Sequence, residues 1–525
     1  MKRIVLFLSL SLFLLSFQNN AIAGKGDLHY KIKVKIKGVS DTMLYLANYL
    51  GNQTYLVDST LVNKKGVAVF ERDTVLDCGI YMVALGRTKL FEFVVSEQEF
   101  TLETDSKDYM ANMKVKGSKE NEIFFEFQQY AYSLGVEENK YRQLLEMWGN
   151  DPARADTVAK INAYLKTIPK QMYDFREEFI KKYPNAILTQ IFNAMREPEV
   201  PDPPKDENGN IIDSNWQYFW YKDHYWDNVN FTSGCVLRSP VYQGRLDRYM
   251  EKLTVQQPDS ILASAITIID KTLANKEMFR FTLVRIMSKY EKSKFICMDA
   301  VPVQLALKYY TYDRCFWLDS AEIYRTRANA ESYLPVLCNR YAPQVGMYDS
   351  ILQKKIDYIV DTETDEQIRG EKLGALLRDE RSHIKNLYDI KAPYTVLVFW
   401  DPDCGHCKKE MPVLKGFYDT VKTYGVEFYS ACVEQDTKAW LKYISENNHK
   451  WISVTDSWNI SGFRKSYNIN STPQIFLLDK DKKIIAKRLG AEQLKEILFN
   501  ELNIEYTPPP KKEGDDKDDH SDHGH

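Results

Sequence analysis

The sequence predicts three domains of different class in series: an N-terminal all-β sandwich, an α-helical middle domain and a C-terminal α/β domain. Three observations carry this. Apolar and polar residues alternate with period two up to about residue 117. Apolar residues then recur every three or four positions to about residue 360. Beyond that point, short β-branched runs alternate with helical patterns around two cysteines three apart. A chain of 525 residues fits about three or four domains of ordinary size, and 44% apolar residues suffice for real cores. The net charge of −3 gives no reason to expect nucleic acid or an anionic membrane as partner.

Residues 1–23 read as a signal peptide. Lys2 and Arg3 precede an apolar run from Ile4 to Phe17, and Ala21-Ile-Ala23 supplies the small residues of a cleavage site. The run is shorter than the ~20 residues of a spanning helix, so no membrane span is expected in the mature chain. The expected location is an oxidising envelope space, the periplasm of a Gram-negative cell.

Residues 24–117 form the predicted β-domain, with strands such as Tyr30–Ile36, Met43–Leu46, Val67–Phe70, Tyr81–Leu85 and Leu90–Val95. They contain no constellation of catalytic residues, so a structural or docking role is expected. Residues 118–360 form the predicted helical domain, in which Ile161, Leu165, Ile168, Met172, Phe175 and Phe179 share one helical face. Its aromatic run from Trp216 to Trp226 reads as core packing, with an exposed binding surface as the alternative, and His224 within it as a hydrogen-bonded core histidine. Cys78, Cys235, Cys297, Cys315 and Cys338 are too widely spaced for a metal motif, and the sequence leaves their pairing open.

Asp361 to Asp365 suit a linker into the α/β domain, 361–505, with Leu373 to Leu387 as its opening strand and turn. Residues 506–525, rich in Asp and His, cannot bury a core and form a predicted disordered tail.

The chemistry lies in Val396-Leu-Val-Phe-Trp400-Asp-Pro-Asp-Cys404-Gly-His406-Cys407-Lys-Lys-Glu410-Met-Pro412. Two sulfurs at i and i+3 across the first turn of a helix can join and separate with little backbone movement. Unsatisfied N–H groups and the helix dipole favour a thiolate there. Cys404 is the expected nucleophile and Cys407 the resolving thiol, while His406 adds positive charge when protonated. Asp401 and Asp403 would oppose a thiolate if they faced it. No second Cys or His pair follows at zinc-site spacing, so neither a metal nor another cofactor is expected.

This stretch resembles the active site of the thioredoxin superfamily, and its Phe-Trp-x-x-x-Cys-x-x-Cys-x-x-Glu-x-Pro arrangement resembles the TlpA/ResA-like envelope branch. The resemblance implies an α/β thioredoxin-like fold, an active-site glutamate at Glu410 and a helix-kinking proline at Pro412. It implies a cis-proline at Pro473 beside the sulfurs, with Thr472, Pro473 and Trp400 as substrate-binding residues. The upstream domains resemble two uncharacterised domains that accompany this branch. Asp403 departs from the branch's usual tryptophan, and Val398 from thioredoxin's buried aspartate. Proton handling then falls to Glu410 or His406.

The expected function is an exported thiol-disulfide oxidoreductase acting on disulfides of envelope proteins, with an unidentified envelope electron donor and an open oligomeric state. The alternatives are a disulfide isomerase, a peptide-binding holdase using the upstream domains, and a metal-delivery factor.

Overall fold

The computed structural model describes residues 29–149, 151–293 and 295–505. The expected signal peptide, 1–23, and the Asp/His-rich tail, 506–525, lie outside the described residues. The chain divides into two compact units, one up to Tyr249 and one from Met250.

The first unit opens with β1 (Tyr30–Lys37), β2 (Met43–Leu50), β3 (Gln53–Leu61), β4 (Val67–Arg72), β5 (Gly79–Leu85), β6 (Thr88–Val95), β7 (Glu99–Asp105) and β8 (Lys114–Lys116). They form two four-stranded sheets, β4-β1-β7-β8 and β3-β2-β5-β6. β1 shows why: Tyr30, Ile32, Val34 and Ile36 are buried while the lysines between them are exposed. Phe100 and Leu102 of the same sheet meet Leu46, Val83 and Phe93 of the other in one core.

The helices α1 (Lys119–Trp148), α2 (Ala155–Leu165), α3 (Ile168–Lys182), α4 (Ile187–Met195), α5 (Trp216–His224) and α6 (Pro240–Glu251) follow. The Ser118 hydroxyl caps α1 by accepting the Asn121 N–H, and Phe124, Phe125 and Phe127 carry its buried face into the sandwich core. Cys78 and Cys235 form a disulfide. The aromatic run is mixed: Tyr225 and Trp226 are buried, whereas Phe219 is exposed. His224 is not a core residue. It lies half exposed on the Trp220 ring, with Nδ1 2.6 Å from Asp227.

The second unit begins with α7 (Pro258–Thr272), α8 (Lys276–Glu291), α9 (Ala300–Tyr309) and α10 (Ser320–Tyr333). Then come β9 (Gly346–Tyr348), α11 (Ser350–Thr362), α12 (Glu366–Asp379), β10 (Ile384–Asn386), β11 (Thr395–Trp400), α13 (Cys407–Lys422), β12 (Glu427–Cys432), α14 (Thr437–Glu446), β13 (Ile452–Thr455), α15 (Phe463–Ser466), β14 (Gln474–Leu478), β15 (Ile484–Lys487) and α16 (Ala491–Glu501). The seven strands lie in the order β10-β9-β13-β12-β11-β14-β15. β11 is buried along its whole length, as a continuous apolar run between two covered faces requires. Val396, Val398 and Trp400 pack with α13 and α16, and Leu397 and Phe399 pack on the opposite face with Phe463 and Tyr467.

Leu373 to Leu387 hold the expected short strand only at their end, as β10, because the region as far as Asp379 is α12. Asp365 accepts the N–H groups of Gln367 and Ile368, and Leu373, Leu376 and Leu377 pack as one helical face beside α11. The acidic stretch at 361–365 holds the end of α11 and the short turn into α12, and the sheet already begins upstream of it at β9, a strand too short to show a period.

The helical segment of this unit is tied to the edge of the sheet. Cys297 and Cys338 form a disulfide. The chain after Cys338 runs beside β15, with the Asn339 N–H donating to the Ile484 carbonyl at 2.9 Å. Lys487, 3% exposed at its side chain, meets Asp299 at 2.5 Å.

Candidate active site

Register assembles the site. β11, β12 and β13 run parallel, and Trp400, Cys432 and Thr455 align across them. β14 runs antiparallel to β11, with Gln474 opposite Phe399. One end of the sheet therefore gathers the 401–406 loop, the segment after Cys432, the loop after Thr455 and the Ser471-Thr472-Pro473 approach to β14.

Cys404 sits in the first of these loops and Cys407 opens α13. The loop is held by the Cys404 N–H on the Asp401 carbonyl at 3.2 Å and the Lys408 N–H on the Cys404 carbonyl at 3.0 Å. Cys404 is partly exposed, and its thiol donates to the Thr472 carbonyl at 3.3 Å. The Thr472–Pro473 peptide bond is cis. Cys407 lies beneath, 1% exposed, and its sulfur accepts the Asp401 N–H at 3.5 Å.

The two thiols are driven apart. Partial burial pushes the Cys404 thiol up, but hydrogen bonds from the Thr472 side chain, from the N–H and thiol of Cys407 and from the His406 N–H together bring it below its ordinary value. Burial dominates at Cys407 and pushes its thiol up to about 12. Such a pair differs in thiolate fraction, with the partly exposed sulfur carrying the larger share.

The other expected residues take distinct places. His406 is exposed at the N-cap of α13, where its carbonyl accepts the N–H groups of Lys409 and Glu410. The Glu410 Oε2 accepts the N–H of Ala491, the first residue of α16, at 2.5 Å. Trp400, expected to touch substrate, is 0% exposed and packs on Tyr443, with ring centroids 4.8 Å apart. It offers substrate no surface, because its strand position points into the core shared with α13.

Sequence reasoning missed the surroundings of Cys407. Asp403 turns to Lys408 at 3.5 Å, whereas Asp401 is half-buried, with its backbone N–H on the Cys407 sulfur. Burial, followed by the negative charges of Glu434 and Asp403, raises the Asp401 carboxyl above the usual carboxylate range. Cys432 is fully buried on the neighbouring strand, and burial pushes its thiol far up. His449 packs on Trp451, with ring centroids 4.3 Å apart, and burial lowers it to about 4. No linear motif signals this group, which only the register brings together. Among the described residues, no group of three or more His, Cys, Asp or Glu side chains could hold a metal ion, and no helix is long and apolar enough to cross a membrane.

Three regions of the chain match known families. A thioredoxin-like family model matches residues 393–484, and two domains of unknown function, DUF4369 and DUF5106, match residues 30–124 and 156–334. The thiol-disulfide oxidoreductase ResA of Bacillus cereus is 30% identical over 133 residues, which are 25% of this chain and 75% of that protein. The sporulation thiol-disulfide oxidoreductase A of Bacillus subtilis is 33% identical over 112 residues, 20% of this chain and 67% of the relative. A thioredoxin-like protein from Bacteroides caccae is 17% identical, with a TM-score of 0.40, over 58% of this chain and 99% of that one.

Proposed function

The chain belongs to the thioredoxin-like thiol-disulfide oxidoreductases related to ResA, and from that membership we propose that Cys404-Gly405-His406-Cys407 is its redox centre, acting on disulfides of exported proteins. The observation that carries this reading is the asymmetry of the pair: a partly exposed sulfur with a lowered thiol sits above a buried one pushed to about 12.

The Cys404 thiolate attacks a substrate disulfide and one substrate sulfur leaves as a thiolate. Cys407 then attacks Cys404 in the mixed disulfide, which releases the reduced substrate and leaves the Cys404–Cys407 disulfide. Thr472 presents its backbone carbonyl to Cys404, so an extended substrate chain lying beside Thr472 meets the nucleophile directly. His406, exposed one residue before α13, adds positive charge to the entrance when protonated. The two disulfides outside the site, Cys78–Cys235 and Cys297–Cys338, suit an oxidising compartment, and with the leader-like first 23 residues they support an envelope location.

The test is the reduction potential of the pair against glutathione, with Cys404→Ser as control. A value near about −270 mV supports a reductase fed by an envelope electron donor, whereas one of about −180 to −120 mV assigns isomerase or oxidase work instead. A protein with no reversible couple refutes the assignment of the pair.

A further inference from the structure

Release of the substrate demands a proton acceptor. Cys407 attacks as a thiolate, yet with its thiol at about 12 only about one molecule in 10⁵ carries that thiolate unaided at pH 7. Glu410 is committed to the Ala491 N–H at the start of α16. Val398, at the strand position where a buried aspartate serves thioredoxin, has nothing to accept a proton. His406 is exposed on the solvent side of the loop. His449 faces the rings of Trp400, Tyr443 and Trp451.

Asp401 remains. Its backbone N–H donates to the Cys407 sulfur at 3.5 Å, so its main chain is fixed beside the group that must lose the proton. Its Oδ1 accepts the Asp403 N–H at 2.7 Å, which holds the carboxyl within the redox loop. No lysine, arginine or histidine pairs with it among the described residues. The titratable groups around it and Cys407 are Asp403 and Cys404 on its own loop, Cys432 on β12, Glu434 beyond β12 and Tyr443 on α14. Burial and the two neighbouring acids make Asp401 a better proton acceptor than an exposed aspartate, whereas Cys432 and Tyr443 are held in their protonated forms.

We propose that Asp401 is the proton acceptor for Cys407 in the resolving step, a role that rests on the exchange reading above. The Cys407 S–H gives its proton to the Asp401 carboxylate, and the resulting thiolate attacks the Cys404 Sγ. The bond between Cys404 and the substrate sulfur breaks as the Cys404–Cys407 bond forms. The electron pair leaves on the substrate sulfur, which takes the proton from the Asp401 carboxyl. The substrate gains two electrons and two protons over the full cycle, the enzyme is oxidised by two electrons, and Asp401 returns to its carboxylate form.

The experiment mixes excess reduced full-length protein with an aromatic disulfide whose released thiolate is coloured. A first burst reports attack by Cys404, and a second reports resolution by Cys407. Asp401→Asn keeps an acceptor oxygen for the Asp403 N–H, so the loop retains its turn. It is expected to slow the second burst about 10²-fold at pH 7 and to leave the first within about twofold. In wild type the second burst is nearly flat with pH across the neutral range. In the variant it rises about tenfold per pH unit from about pH 6 to pH 9, following the Cys407 thiolate fraction. The proposal is overturned if the second burst keeps its rate and profile, or if both bursts slow equally with the wild-type profile, since that is loop distortion alone. It also fails if Glu410→Gln produces the slope instead. A wild-type protein without a second burst defeats the exchange reading itself, a separate outcome.

Discussion

Alkylation of the reduced protein tests the division of labour between the two sulfurs. A thiol at the ordinary value of 9.0 is about 1% thiolate at pH 7. Cys404, held below its ordinary value, exceeds that fraction. Cys407, at about 12, carries about one part in 10⁵. The thiolate ratio alone therefore exceeds about 10³, and the burial of Cys407 at 1% exposure widens it. Reduced full-length protein is treated with limiting iodoacetamide across a pH series, and the labelled peptides are followed by mass spectrometry. Cys404 is expected to take the first equivalent, ahead of Cys407 and of the buried Cys315 and Cys432. A lowered pKa means that the Cys404 rate levels off at a lower pH than that of an exposed thiol. Labelling of Cys407 within tenfold of Cys404, or a Cys404 rate that climbs with pH like an ordinary thiol, refutes the reasoning.

Glu410→Ala removes a charged acceptor from the first N–H of α16 and is expected to lower stability by about 2 kcal/mol, with Glu410→Gln costing about half as much, both read from the urea midpoint. Cys297→Ser with Cys338→Ser opens a loop of sequence separation 41 and is expected to cost up to about 4 kcal/mol, with faster hydrogen exchange at the Asn339 amide beside β15. His449 is lowered to about 4 in the folded chain against about 6.5 when unfolded, so the unfolded state binds the extra proton between those values. Its contribution is complete above about 6.5 and is lost as pH falls towards about 4; His449→Gln should flatten that part of the stability–pH curve.

The three fold classes were legible because each leaves a period in the sequence: two in β1, three to four along α1 to α4, and an unbroken apolar run in β11. The pieces that escaped are those with no room for a period. β9 and β10 are three residues each and become strands only because the sheet offers them partners. The disulfides escaped for a related reason, since pairing across a sequence separation of 157, as in Cys78–Cys235, is a property of packing that spacing does not encode. His224 looked like a core histidine among aromatics, and it instead stacks at the surface beside Asp227.

At the site, sequence motif and three-dimensional register supply different halves of the chemistry. The Cys-x-x-Cys spacing marks both sulfurs and suggests the order of attack proposed for them. It cannot say which carboxylate serves the second one, because that depends on where α16 begins and on what lies beyond β12. Glu410 is near Cys407 in sequence, one helical turn on, yet the N-terminus of α16 claims its carboxylate. Asp401 is six residues before Cys407 and reads as a negative charge that would hinder a thiolate at Cys404. The direction of its influence depends on which sulfur it faces. Its backbone N–H contacts Cys407, the buried thiol of the pair, so on the proposed reading the same charge that would hinder the first step assists the second.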